Sequence, residues 1–129
     1  MNKRQKALLK NKKILIVDDD AENLSVLSGV LTGAGYEIIE SRNAIDGFTL
    51  AKAKKPHLIV TDIHMPVVSG FEFLRNLKAD ILTRDIPSIA IACFGMNGRR
   101  ESFINYGFTD FVPKPVNMKE LVKIIQRHV

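Results

Sequence analysis

Ile14-Leu15-Ile16-Val17-Asp18-Asp19-Asp20 is an apolar run that stops abruptly in acid. A short aliphatic stretch bounded by polar residues reads as a buried strand. Leu58-Ile59-Val60 ends the same way, at Thr61-Asp62. Two such strands lying side by side and parallel would bring three or four carboxylates together at their C-terminal ends. Like-charge repulsion makes that arrangement costly without a cation or a raised pKa, so the cluster reads as a site. The simpler alternative is that each acid caps a turn or the start of a helix.

Outward from these runs the chain alternates strand and helix. Strands are predicted over 13–18, 36–40, 57–62, 87–92 and 109–112, each short and rich in Val, Ile or Phe. Helices are predicted over 22–33, 44–54, 70–79, 97–106 and 117–128. The first puts Leu24, Leu27, Val30 and Leu31 on one face, with Asp20 as its cap and Gly33 and Gly35 as its stop. The last carries Met118, Leu121, Val122, Ile124 and Ile125. Strict alternation implies an α/β fold, a doubly wound five-stranded parallel sheet with five helices covering both faces. Ligands of such sheets bind beyond the C-terminal strand ends, where the strand order reverses. The common order 2-1-3-4-5 makes strands 1 and 3 neighbours and joins Asp18, Asp19 and Asp62. That order is carried over from other folds of this kind and does not follow from these residues.

Composition fits one globular domain: 129 residues, 46% hydrophobic and 26% charged. The apolar stretches fall short of the roughly 20 residues that span a bilayer, so a cytoplasmic protein without membrane insertion is expected. Cys93 is the single cysteine, which excludes an internal disulfide and suits a reducing compartment. The net charge of +5 belongs to one end. Residues 1–13 hold six of the 19 basic residues and none of the 14 acidic ones. Residues 1–11 are therefore read as a basic arm and 12–129 as the domain. Lys3, Arg4, Lys6, Lys10, Lys12 and Lys13 could touch phosphate or acidic lipid, but a solvated tail is the plainer reading. No direct binding of nucleic acid is expected.

Three separated segments now point to a family. Ile14 to Asp20, Asp62-Ile63-His64-Met65-Pro66 with Gly70, and Lys114-Pro115 resemble the signatures of receiver domains of two-component response regulators, over residues 12–129. The flavodoxin-like (CheY-like) fold is what this resemblance implies. The chain looks most like stand-alone receivers of the CheY and DivK type, and Phe94-Gly95-Met96 is similar to DivK-like and hybrid-kinase receivers. The resemblance implies a protein that accepts a phosphoryl group from a histidine kinase or histidine phosphotransfer protein. A phosphoacceptor, and not a turnover enzyme, is what the resemblance leads one to expect. Output to a downstream protein would run through the face of the fourth helix, fifth strand and fifth helix.

The residues carry that chemistry individually. Asp62 is the candidate phosphoacceptor, since a carboxylate at a strand end can form an aspartyl phosphate. Asp19 would hold a divalent cation directly and Asp18 through water, with Asp62 and the backbone carbonyl of His64 completing the set. Mg²⁺ suits such oxygen ligands. Lys114 would place a point positive charge on the phosphoryl oxygens, unless it is a plain surface lysine. Pro115 would follow a cis peptide, as the resemblance implies, although trans is the default for any X-Pro bond.

One position departs from the family. Receivers usually carry Thr or Ser thirty residues after the phosphoacceptor, and here that residue is Ala92. Alanine offers no hydroxyl to the phosphoryl group. Phe111 keeps the aromatic partner of the switch, yet a hydrogen bond worth roughly 1.5 to 3 kcal/mol is missing. Weak or atypical switching is expected, unless Ala92 only packs better and Phe111 is plain core. His64 and Phe94 would flank the pocket and hinder water, or be an exposed histidine and a packing phenylalanine. Cys93 is read as a small buried thiol in preference to an oxidant sensor. Two rivals remain. One is a phosphorylation-independent interaction module with the same fold. The other is a phosphatase of the haloacid-dehalogenase type, disfavoured because His64 stands where a second acid is needed.

Overall fold

The computed structural model describes Asn2, residues 12–93 and residues 100–129. Lys3, Arg4, Lys6 and Lys10 of the basic arm, residues 97–99 of the expected fourth helix, and Phe94 with its Gly95-Met96 neighbours lie outside the described residues. Five strands alternate with five helices: β1 (Lys13–Val17), α1 (Ala21–Gly33), β2 (Glu37–Ser41), α2 (Ala44–Lys54), β3 (Leu58–Asp62), α3 (Gly70–Ala79), β4 (Ser88–Cys93), α4 (Arg100–Tyr106), β5 (Asp110–Lys114) and α5 (Met118–His128). All pairings are parallel and the order is β2-β1-β3-β4-β5. The expected flavodoxin-like architecture is therefore present.

Strand periodicity explains why the apolar runs are continuous. Successive side chains point to opposite faces, so a strand covered on both sides must be apolar at every position. Ile14 and Ile16 pack with Leu24, Leu27 and Leu31 of α1 and Leu121, Ile124 and Ile125 of α5. Leu15 and Val17 point the other way, with Ala44 and Ala51 of α2 and Phe73 and Leu77 of α3. Farther along that second face, Ala90, Ala92 and Phe111 pack with Leu74, Phe103 and Phe108.

Each helix starts at the same edge of the sheet, and local chemistry starts it there. Asp20 caps α1 by accepting from the N–H groups of Glu22 at 2.9 Å and Asn23 at 3.1 Å. Asn43, Ser69 and Asn117 cap α2, α3 and α5 in the same way. An acid follows in every first turn, Glu22, Asp46, Glu72, Glu101 and Glu120, where it complements the helix dipole. α1 gives way to a turn at Gly35, whose φ of 104° suits glycine. These starts surround the C-terminal strand ends, the edge where ligands of doubly wound sheets bind.

Candidate functional site

β1 and β3 are adjacent, with Val17 opposite Thr61, so the next residue of each, Asp18 and Asp62, leaves the sheet at the same level. Both are buried and Asp19 is half-buried. Carboxylate oxygens of Asp18, Asp19 and Asp62 all lie within 4.8 Å of one another. Among the described residues this is the one group of acids, histidines or cysteines placed to share a metal ion. The backbone fixes the cluster. Asp18 receives the N–H of Asp20 at 2.9 Å, and its own N–H bonds the Ser41 carbonyl at 3.1 Å. Arg42 Nη2 donates to the Asp19 carbonyl at 3.0 Å.

Lys114 reaches the cluster from the end of β5. Its Nζ stands 3.0 Å from Asp62 Oδ1, and the peptide bond to Pro115 is cis. Apart from this ion pair, Asp62 Oδ1 is buried with no hydrogen-bond donor. A buried carboxylate oxygen paired with Lys114, beside two further carboxylates, makes the oxygen donor set that a hard, oxygen-seeking cation takes, so the residues fit Mg²⁺. Burial pushes the Asp18 carboxyl above its ordinary range, and repulsion from Asp62 and Asp19 adds to that. The Asp20 N–H and the Lys114 charge oppose it without prevailing. Burial alone would lower Lys114, but Asp62 and then Asp18 hold its ammonium above the usual lysine range. A cavity of about 220 Å³ opens beside Asp18 and Lys114, walled by the apolar Val26, Leu27, Val116 and Met118.

The loop after β3 is held from below. The Ile63 N–H bonds the Ile91 carbonyl at 3.0 Å, and the Gly70 N–H bonds the Ile63 carbonyl at 2.9 Å. A Cβ on Gly70 would stand 2.6 Å from the Asp62 carbonyl oxygen and 2.8 Å from Ile63 Cα. Only glycine lets α3 begin this close to the acceptor's backbone. His64 is exposed at the start of this loop, as the plainer sequence reading has it.

On the readout side, Ala92 is buried beside Phe111, and Phe111 stacks on Phe103 of α4 with centroids 4.4 Å apart and planes 3° apart. Phe111 therefore points into the core. Cys93 corrects the sequence reading: it is exposed, not a buried thiol. It is the last residue of β4, its side chain faces away from Ala92, and it sits opposite Lys114 at the open edge of the sheet.

Sequence reasoning overlooked a second charged centre. Asp110, at the start of β5, is almost fully buried, with Arg100 Nε 3.0 Å from Oδ1 and His128 Nε2 3.2 Å from Oδ2. The Phe111 N–H donates to Oδ1 at 2.8 Å. Burial pushes this carboxyl up, but Arg100, the Phe111 N–H and His128 together bring it below the ordinary range. The available signal was an acid at the start of a short aromatic and β-branched strand, in Phe108-Thr109-Asp110-Phe111-Val112.

Residues 14–126 match the response regulator receiver domain family. The chain is 33% identical over 118 residues to the polar-differentiation response regulator DivK of Brucella anthropi, covering 92% of this chain and 96% of that protein. Among solved structures it resembles the chemotaxis protein CheY4 of Vibrio cholerae, with a TM-score of 0.84 and 26% identity over 92% of this chain and 99% of that one. It also resembles the receiver domain of a sensor histidine kinase from Pseudomonas aeruginosa PAO1. That match has a TM-score of 0.82 and 29% identity over 92% and 97% of the two chains, and that domain carries a magnesium ion coordinated in its active-site cleft.

Proposed function

The chain belongs to the family of response regulator receiver domains, and from that premise we propose that Asp62 accepts a phosphoryl group from a phosphohistidine. The donor is a histidine kinase or a histidine phosphotransfer protein, and the phosphorylated chain signals in the cytoplasm by binding a downstream protein. One observation carries this reading: the buried Asp62 carboxylate, its Oδ1 3.0 Å from Lys114 Nζ, inside the cluster with Asp18 and Asp19. In the transfer a carboxylate oxygen of Asp62 bonds to phosphorus as the phosphorus–nitrogen bond breaks, and the imidazole leaves with the bonding pair and a proton. Lys114 neutralises phosphoryl oxygens as they arrive. Mg²⁺ held by Asp18, Asp19, Asp62 and the His64 backbone carbonyl supplies further neutralisation when bound. The apolar wall beside the pocket gives a protein donor surface to bury. The chain is an acceptor consumed and regenerated, not a turnover enzyme.

Mass spectrometry of the intact protein after incubation with Mg²⁺ and acetyl phosphate tests this. One added phosphoryl group is expected on the wild type and none on Asp62→Asn. An unlabelled wild type would overturn the reading.

A second reading has its own support. Ala92 supplies no hydroxyl and Phe111 is already stacked inward on Phe103, so output can be independent of phosphate. In that case the face of α4, β5 and α5 binds its partner equally with and without a phosphoryl mimic.

A further inference from the structure

β5 is an edge strand, and its first two residues fasten it to the rest of the output face in opposite directions. Phe111 points toward α4 and stacks on Phe103. Asp110, on the other face, meets His128 in the last turn of α5. Arg100 belongs to the first turn of α4, yet its Nε also reaches Asp110 at 3.0 Å. Its side chain must therefore pass around the free edge of β5 to reach the far face. One carboxylate, 3% exposed, thus joins α4, β5 and α5.

The partners are unequal in a way that suits a fastening. Asp110 is buried and cannot leave without losing the Phe111 N–H, Arg100 and His128 together. Arg100 is 61% exposed and His128 27% exposed, so water reaches both partners but not the carboxylate between them. A buried carboxylate deprived of Arg100 and of its hydrogen-bond partners is left uncompensated, which strains the elements around it. The fastening is remote from the phosphoacceptor. It also sits next to the residue that a hydroxyl at position 92 would otherwise couple to Asp62.

We propose that Asp110 is an ionic clasp that holds α4 and α5 on β5, and that this clasp, not the residue at position 92, sets the conformation of the signalling face. The proposal rests on the receiver reading above and names the regulation of its output face. With the clasp closed and Phe111 stacked, a phosphoryl group on Asp62 has little leverage on α4. Opening the clasp makes α4 mobile and lets it respond.

Hydrogen–deuterium exchange on the full chain tests this, with Arg100→Gln and Asp110→Asn as the opening variants and Arg84→Gln, from the exposed Arg84–Asp85 pair, as control. Amides of residues 100–107 are expected to exchange about tenfold faster in Arg100→Gln than in the wild type, as local opening becomes cheaper, and to be unchanged in Arg84→Gln. Beryllofluoride with Mg²⁺ is expected to alter α4 exchange less than about twofold in the wild type and clearly more in Arg100→Gln. Equal exchange in Arg100→Gln and Arg84→Gln overturns the clasp. So does a wild-type α4 that responds to beryllofluoride as strongly as the variant. Asp110→Asn keeps an acceptor for the Phe111 N–H, and Arg100→Gln alters an exposed side chain, so the test survives if the former fails to fold. The exchange difference without beryllofluoride decides the clasp even if acetyl phosphate leaves Asp62 unlabelled, a result that would overturn only the phosphoacceptor reading.

Discussion

At the C-terminal ends of β1 and β3, Asp18, Asp19 and Asp62 meet Lys114 in the arrangement that suits the proposed phosphoacceptor. On the neighbouring strands, within about a residue of the same level, stand Ala92 of β4 and the inward-stacked Phe111 of β5. The first region is polar and crowded with like charges. The second is apolar and stacked. The contrast teaches that one sheet can keep a polar cluster of carboxylates at one place and a closed aromatic core at the other, so that the proposed receiving chemistry and the proposed readout can be tested apart.

The contrast can be broken from the receiving side first. Lys114→Gln keeps a polar side chain, one bond shorter, but removes its charge, and it should slow labelling of Asp62 by acetyl phosphate about a hundredfold. A near-normal rate would mean that the ion pair with Asp62 is only structural. On the readout side, Ala92→Thr restores a hydroxyl beside the acceptor. With the clasp closed, even a bond worth roughly 1.5 to 3 kcal/mol should enlarge the beryllofluoride-induced change around Phe111, read by NMR, by less than about twofold in population. A tenfold gain in this single variant would return control of the signalling face to residue 92.

The smallest effect concerns stability. Folding raises the Asp18 carboxyl, so its protonated form is favoured in the folded state; the associated stability is fully present below the unfolded value and lost as pH rises through the folded one. Asp18→Asn removes that loss while keeping an acceptor for the Asp20 N–H. In metal-free buffer it should stabilise the protein at neutral pH and almost not at all in acid, as read from thermal midpoints. A gain of the same size at both pH values would assign the cost to packing instead of charge.

Much of this contrast was legible in the sequence. Aliphatic runs ending in aspartate are visible without a structure because a strand covered on both faces has no polar position until it leaves the core. The helix over 22–33 and the cap at Asp20 were equally readable from local pattern. Strand order was not, since periodicity says which residues are buried but not which strands touch. Cys93 went wrong for a related reason: a small apolar residue beside Ala92 looks buried, and only the end of the sheet exposes it. The Asp110 centre was hidden because its partners lie ten residues before and eighteen after it, and only the turn of the chain around β5 unites them.

The close seat of Gly70 has one more consequence. Because α3 starts against the carbonyl of Asp62 and donates to that of Ile63, the acceptor's backbone and the first turn of α3 share one rigid joint. A displacement at the phosphoryl site has no slack to absorb it there. Any side chain at position 70 would therefore push the start of α3 and the backbone of Asp62 apart together, so the helix and the carboxylate cluster keep their spacing only while that position stays bare.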